Sequence, residues 1–252
     1  MAVRNVKPAQ HSIASAAGTQ RAKSAKPGRA KPTSGRRATQ AERSARTRAA
    51  LLESAARGLS RNGYGNLVLE RVASDAGYTR GALYHQFKDK EELALAVIDW
   101  VDRTWREEVG RRVEQEHDPV NALIVLARGH AVYCRRDVAR VAIALRLEFA
   151  AQDHPVARRI EQVTQSLVKR CTRLVSAGRR AGTIPPAGPP ARAVALAFVG
   201  ALEGAVIELA GQAPHDELLA ARAAAGVLWL GEVPTVAAAS SAHPPDAAKS
   251  RR

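Results

Sequence analysis

One short run gathers the side chains best placed to do chemistry: Thr79-Arg80-Gly81-Ala82-Leu83-Tyr84-His85, with Lys90 shortly after it. A guanidinium, a phenol and an imidazole surround two residues with almost no side chain. That mixture suits recognition of a polyanion rather than bond-breaking. At helical spacing Leu83 and Phe87 share one face, and Gly81, Ala82 and His85 point the other way with Arg80 and Tyr84 on the flanks. A helix that enters a DNA major groove needs such a low-profile surface to approach base edges. Upstream, Leu69, Val72, Ala73 and Ala76 form an apolar stripe. Gly77 supplies a residue able to take positive φ where a helix stops, and Thr79 is placed to cap the next one. Two short helices joined by a tight turn follow, in the layout of a helix-turn-helix. On geometry alone, a helical hairpin inside an ordinary bundle remains open.

These elements need a scaffold. Thr47 is positioned to cap a helix reaching about Arg61, with Leu51, Leu52, Ala55 and Leu59 inward, and Asn62-Gly63 ends it. Asp89 caps a fourth helix from Lys90, whose apolar positions Leu93, Val97, Trp100, Val101 and Trp105 keep helical spacing. His117-Asp118-Pro119 and Asp153-His154-Pro155 interrupt the chain with ordinary capping chemistry. Between them lie a helix from Val120 to about Cys134 and another through Phe149. A long amphipathic helix then runs to about Arg180, residues 182–190 form a loop, and two Ala-, Val- and Leu-rich helices cover about 190–211 and 214–231. The expectation is an all-α fold of about nine helices with no strand.

The chain has 252 residues and a net charge of +15. Residues 1–40 hold nine Lys or Arg and no acid, whereas the remainder holds thirty basic and twenty-four acidic side chains. The basic excess is therefore concentrated in an arm with Pro8, Pro27 and Pro32 and no aromatic residue, too polar to fold alone. Its expected use is attraction to phosphates, or insertion of Arg36 and Arg37 into a minor groove. A solvated tail with no defined contact is the alternative at equal weight, and a targeting segment a lesser one because Pro and Gly spoil an amphipathic helix. No apolar stretch reaches membrane-spanning length. Cys134 and Cys171 lack metal-ligand spacing and read as two buried thiols of a reducing compartment.

Catalysis is not expected. The seven histidines are scattered, and HExxH, GxSxG, GxGxxG and Walker-type loops are all missing. No cofactor and no metal is expected. A non-specific architectural DNA binder driven by the basic arm is the alternative reading of function.

Thr47–Ala56, Asn62-Gly63-Tyr64, the run Ala73–Phe87 and Lys90-Glu-Glu-Leu93 together resemble the DNA-binding domain of the TetR/AcrR family of bacterial regulators, over about residues 44–100. Composition marks a basic arm (1–40) and a disordered Pro- and Ser-containing tail (233–252), and the resemblance implies a helix-turn-helix domain (41–92) and a helical effector-binding and dimerisation domain (93–232). It implies a cytoplasmic, nucleoid-associated homodimer on double-stranded operator DNA, released by a small, largely apolar effector. Carried onto this sequence, Arg80, Gly81 and Ala82 meet base edges, Tyr84, His85 and Lys90 the backbone or flanking bases, and Arg48 and Thr79 phosphates. Val68 stands where many members carry a capping Ser or Thr, and Gln86 replaces the commoner His but can still donate to phosphate. The expected effector pocket takes in Trp105, His130, Tyr133, Arg146, Phe149 and Glu203. The expected dimer interface takes in Phe198, Leu202, Val206, Leu209, Leu219 and Trp229, with packing inside one chain as the alternative.

Overall fold

A computed structural model describes residues 39–209 and 212–229. The arm with Arg36 and Arg37, and the tail 233–252, lie outside the described residues, as does the side chain of Leu209. Among the described residues the fold is all-α: α1 Gln40–Asn62, α2 Leu69–Asp75, α3 Arg80–Gln86, α4 Lys90–Trp105, α5 Arg111–Gln115, α6 Pro119–Tyr133, α7 Val141–Glu148, α8 Pro155–Ala181, α9 Ala191–Leu209 and α10 His215–Val227. A π-helical turn, Arg106–Gly110, joins α4 and α5 into one rod, so the described residues hold nine helices and no strand. α4 also passes through position 93 without a break, so the three N-terminal helices and the body share it.

Most helix starts follow from local chemistry. Asp89 accepts from Glu92 N, Asp118 from Asn121 N and His154 Nδ1 from Val156 N, each satisfying a backbone donor left without a partner at a helix start. Pro119 and Pro155 sit in the first turns they open, where their fixed φ and missing N–H cost nothing. The first helix departs from expectation. It starts at Gln40, capped by Thr39 in a reciprocal arrangement with Glu42. Thr47, the expected cap, instead lies inside it and donates to the Arg43 carbonyl.

α1 buries Leu51, Leu52, Ala55, Ala56 and Leu59 against α2, α3, α4 and the segment 137–148. Ser54 Oγ donates to the Val72 carbonyl (2.9 Å) and ties α1 to α2 inside that core. Below, α6 is flanked by α8 and α10, and α9 lies between α8 and α10. Cys134 and Cys171 are both buried and unpaired, and burial pushes each thiol up to about 12, which keeps them as inert core groups.

Candidate nucleic-acid interface and cavity

The turn between α2 and α3 is built from three backbone hydrogen bonds, Ala76 N to Val72 O, Gly77 N to Ser74 O and Tyr78 N to Ala73 O. Gly77 sits at φ +76°, a conformation costly for any residue with a Cβ. Tyr78 is half-buried and packs on the core. Thr79 then caps α3 by accepting from Ala82 N at 3.2 Å. Leu83 and Phe87 are buried and anchor the helix, while Gly81, Tyr84 and His85 are exposed and Ala82 is half-buried. Arg80 is 65% exposed, 3.2 Å from Glu70 and 5.3 Å over the Tyr84 ring. An ion pair this exposed is worth little, so a base or phosphate can replace the carboxylate. Val68 opens α2 in extended backbone with no side-chain cap and is 54% exposed.

Three side chains expected to reach DNA have other partners. Arg48 Nη1 donates to the Gln86 carbonyl at 3.0 Å, and its guanidinium lies 4.3 Å over the Phe87 ring. The Gln86 amide donates to Ser44 Oγ (3.0 Å). Lys90 Nζ donates to the Gly65 carbonyl (2.9 Å) and sits 4.7 Å over the Tyr64 ring. The contacts of Arg48 and Gln86 fix the C-terminal end of α3 against α1, and that of Lys90 fixes the start of α4 against the α1–α2 loop. Arg48 thus holds the end of α3 and Lys90 the start of α4.

A second set of contacts joins this domain to the body. The Glu148 carboxylate accepts from Tyr64 N (2.5 Å) and Gly65 N (2.7 Å). Ser60 Oγ donates to the Asp137 carbonyl, and Arg61 and Arg140 both pair with the Asp137 carboxylate. The hydrogen bond from Arg61, with help from Arg140, holds that carboxyl below its usual range. Phe149, expected in the pocket, belongs here instead: it is buried, edge-on to Tyr64 at 5.1 Å and stacked on His154 at 4.6 Å. Glu148 and Tyr64 carry no local signature, and only the fold brings them together.

A cavity of about 380 Å³ opens between α4, α6, the 139–143 segment and α8. Trp105, His130, Tyr133 and Glu203 line it, together with Ile98, Val101, Val141, Ile143, Val163 and Leu167. Arg146 is not in the wall; it pairs with Glu203 across to α9. His130 Nδ1 accepts from Trp105 Nε1 (3.2 Å), which places its proton on Nε2, 3.7 Å from Cys134 Sγ. Burial holds His130 down at about 4, so it is neutral at pH 7. Tyr133 donates to the Val101 carbonyl (3.0 Å) and meets Thr104 (2.7 Å), and burial pushes it up to about 12. The polar atoms of Trp105, His130 and Tyr133 are therefore matched by one another, by Thr104 and by backbone. The π-helical turn begins one residue after Trp105, a distortion of the hydrogen-bond ladder that often marks a functional position.

At the other end of the body, Phe198, Leu202 and Val206 are buried within the single chain, so packing inside one chain accounts for all three. Leu219 is 40% and Trp229 50% exposed. Trp229 also lies against the α8–α9 loop, close enough that a Cβ on Gly188 would come within 2.4 Å of its ring. Leu196, Ile207 and Leu218 are exposed beside them, and Gly200, Gly204 and Gly226 face open space.

The described residues thus place a short capped helix, fixed by α1, beside a helical body with an internal cavity. Residues 51–97 match the model of the bacterial regulatory proteins, tetR family. The chain is 34% identical over 84 residues to the HTH-type transcriptional regulator TtgR of Pseudomonas putida, covering 32% of this chain and 40% of that protein. The chain thus spans well under half the length of this curated relative. Solved structures share the fold over more of the chain. A TetR transcriptional regulator from Chloroflexus aurantiacus superposes with a TM-score of 0.62 at 21% identity, covering 74% of this chain and 94% of that one. AibR, in complex with isovaleryl coenzyme A and operator DNA, superposes with a TM-score of 0.58 at 22% identity, covering 71% and 97%. No described helix is long and apolar enough to cross a membrane, and no described group of His, Cys, Asp and Glu could hold a metal ion.

Proposed function

We propose that the chain is a ligand-responsive regulator of transcription, a cytoplasmic, nucleoid-associated repressor that leaves a palindromic operator when a small molecule enters the cavity. The observation that carries this reading is that α3 and α4 both pack on α1 while α4 also walls the cavity. Arg80, Gly81, Tyr84 and His85 are presented outward at one end of the N-terminal domain, and Ile98, Val101 and Trp105 of the shared helix form the cavity wall. A ligand that prefers one position of α4 would shift the population of reading-helix positions by its differential affinity. The relatives point the same way, since AibR is a protein solved with both an acyl-thioester ligand and operator DNA.

Within this reading Arg80 supplies the base contact, Ala82 meets a thymine methyl, and Thr79, Tyr84 and His85 meet the backbone, with Arg36 and Arg37 of the arm adding phosphate contacts. Two copies pair through the outward apolar side chains of α9 and α10, Leu196, Ile207, Leu218, Leu219 and Trp229, with Gly200 and Gly204 allowing close approach. Such a dimer presents two reading helices to successive major grooves when they are about 34–36 Å apart.

The test is selection of bound duplexes from a random pool by the full chain. The expected result is enrichment of an inverted repeat with half-sites about one helical turn apart. A bound pool that stays random contradicts the reading and favours the architectural alternative, in which removal of residues 1–40 abolishes nearly all binding.

A further inference from the structure

The cavity is apolar inside and cationic at its mouth. Its inner wall is built from Ile98, Val101, Trp105, Val141 and Ile143, and the polar groups among them, His130 and Tyr133, already have partners. The wall therefore offers little to a polar ligand group and rewards an apolar one.

Four cations stand at the rim: Arg106 from the π-helical turn, and Lys169, Arg170 and Arg173 from α8. Two are already matched, Arg106 to Asp102 at 2.6 Å and Arg170 to Glu114 at 3.0 Å. The two carboxylates that reach the cavity are matched as well, Asp102 also by Arg159 and Glu203 by Arg146. Lys169 and Arg173 differ. Both are exposed, and no described carboxylate lies within ion-pair distance of either. They stand one turn apart on one face of α8, where like charges repel and an anion between them relieves the repulsion. The open groove beside the cavity, of about 590 Å³, has five arginines but also Asp99, Glu107 and Glu114 in its wall. Three of those arginines are already paired there, Arg106, Arg159 and Arg170. Arg103 and Arg111 have no described ion pair either, but every side chain in that wall is charged, so the groove offers no apolar side chain to a ligand body.

We infer that the cavity takes an amphipathic anion, with an acyl or alkyl body against the apolar wall and a carboxylate or phosphate head at Lys169 and Arg173. The inference rests on the cavity being the effector site. It adds a charged head, and the residues that recognise it, to the largely apolar effector that the sequence suggested.

The test is calorimetric titration of the full chain with octanoate, octyl phosphate, 1-octanol and octylammonium, all below micelle-forming concentrations. An anion of the same chain length should bind about fivefold more tightly than octanol, the scale expected for two partly exposed charge contacts. The order of octanoate and octyl phosphate then separates the two kinds of head. In the Lys169→Gln/Arg173→Gln double variant the preference for the anion should fall to within about twofold while octanol binding is unchanged. Added salt should weaken the anions alone. If octanol or octylammonium binds as tightly as the anions, or the double variant keeps the preference, the charge assignment is overturned and the cavity stands as an apolar effector site. If none of the four binds, the effector reading of the cavity falls with it.

Discussion

The reading surface and the cavity treat polar side chains in opposite ways. On α3 the groups that face outward have weak or replaceable partners: Arg80 has an exposed carboxylate, and Thr79 caps with its oxygen and keeps its hydroxyl proton for another acceptor. Around the cavity, His130, Tyr133, Thr104 and Trp105 bond to one another or to backbone. The first arrangement leaves interactions to be completed by a polyanion. The second makes a polar wall behave as an apolar one. Between the two lies a junction, Glu148 and Asp137 against α1 and the α1–α2 loop, where the bonds are charge-assisted and join distant parts of the chain.

The contrast is sharpest at His130. Its folded-state value of about 4 lies below the ordinary 6.5, so between those values the unfolded chain binds more protons than the folded one. Stability should therefore be lost as pH falls from about 6.5 towards 4, by an amount on the order of 3 kcal/mol. Urea unfolding at pH 7 and pH 4.5 checks this. His130→Gln, which keeps an acceptor for Trp105, should flatten the difference, and an equally steep loss in that variant would place the acid sensitivity elsewhere.

The junction gives the next effect. Glu148→Ala leaves the Tyr64 and Gly65 amides without their acceptor and should cost about 1–2 kcal/mol of stability, since both sites are partly wet. Ligand binding in the cavity should persist, and its effect on DNA binding should weaken. Release of DNA as complete as in the unaltered chain would show that α4 alone carries the coupling.

At the reading end, Val68→Thr supplies the missing cap to α2. The backbone is already extended there, so the change should add about 1 kcal/mol to thermal stability. A loss would mean that the Val68 side chain contributes more where it stands.

What could be read in the sequence was local. Gly77 at positive φ and the caps at Thr79, Asp89, Asp118 and His154 all act within a few residues of themselves, so spacing alone exposes them. The start of α1 was misread because Thr39 and Thr47 both fit a cap, and only the pairing of Thr39 with Glu42 decides between them. The roles of Arg48, Lys90 and Glu148 were not legible. Their partners lie 38, 25 and 84 residues away, and a cation beside a reading helix looks the same in sequence whether it faces phosphate or a carbonyl. Phe198, Leu202 and Val206 were ambiguous for a related reason: a helix apolar on most sides does not say which side meets its own chain.

In the proposed function, base preference rests on Arg80, while Lys90 acts by tying α4 to the α1–α2 loop. Fluorescence anisotropy on a selected duplex and a scrambled one measures both at once. Arg80→Ala should lose about 1–3 kcal/mol of preference for the selected duplex and little on the scrambled one. Lys90→Ala should weaken both alike. Equal losses on the two duplexes from Arg80→Ala would contradict the account.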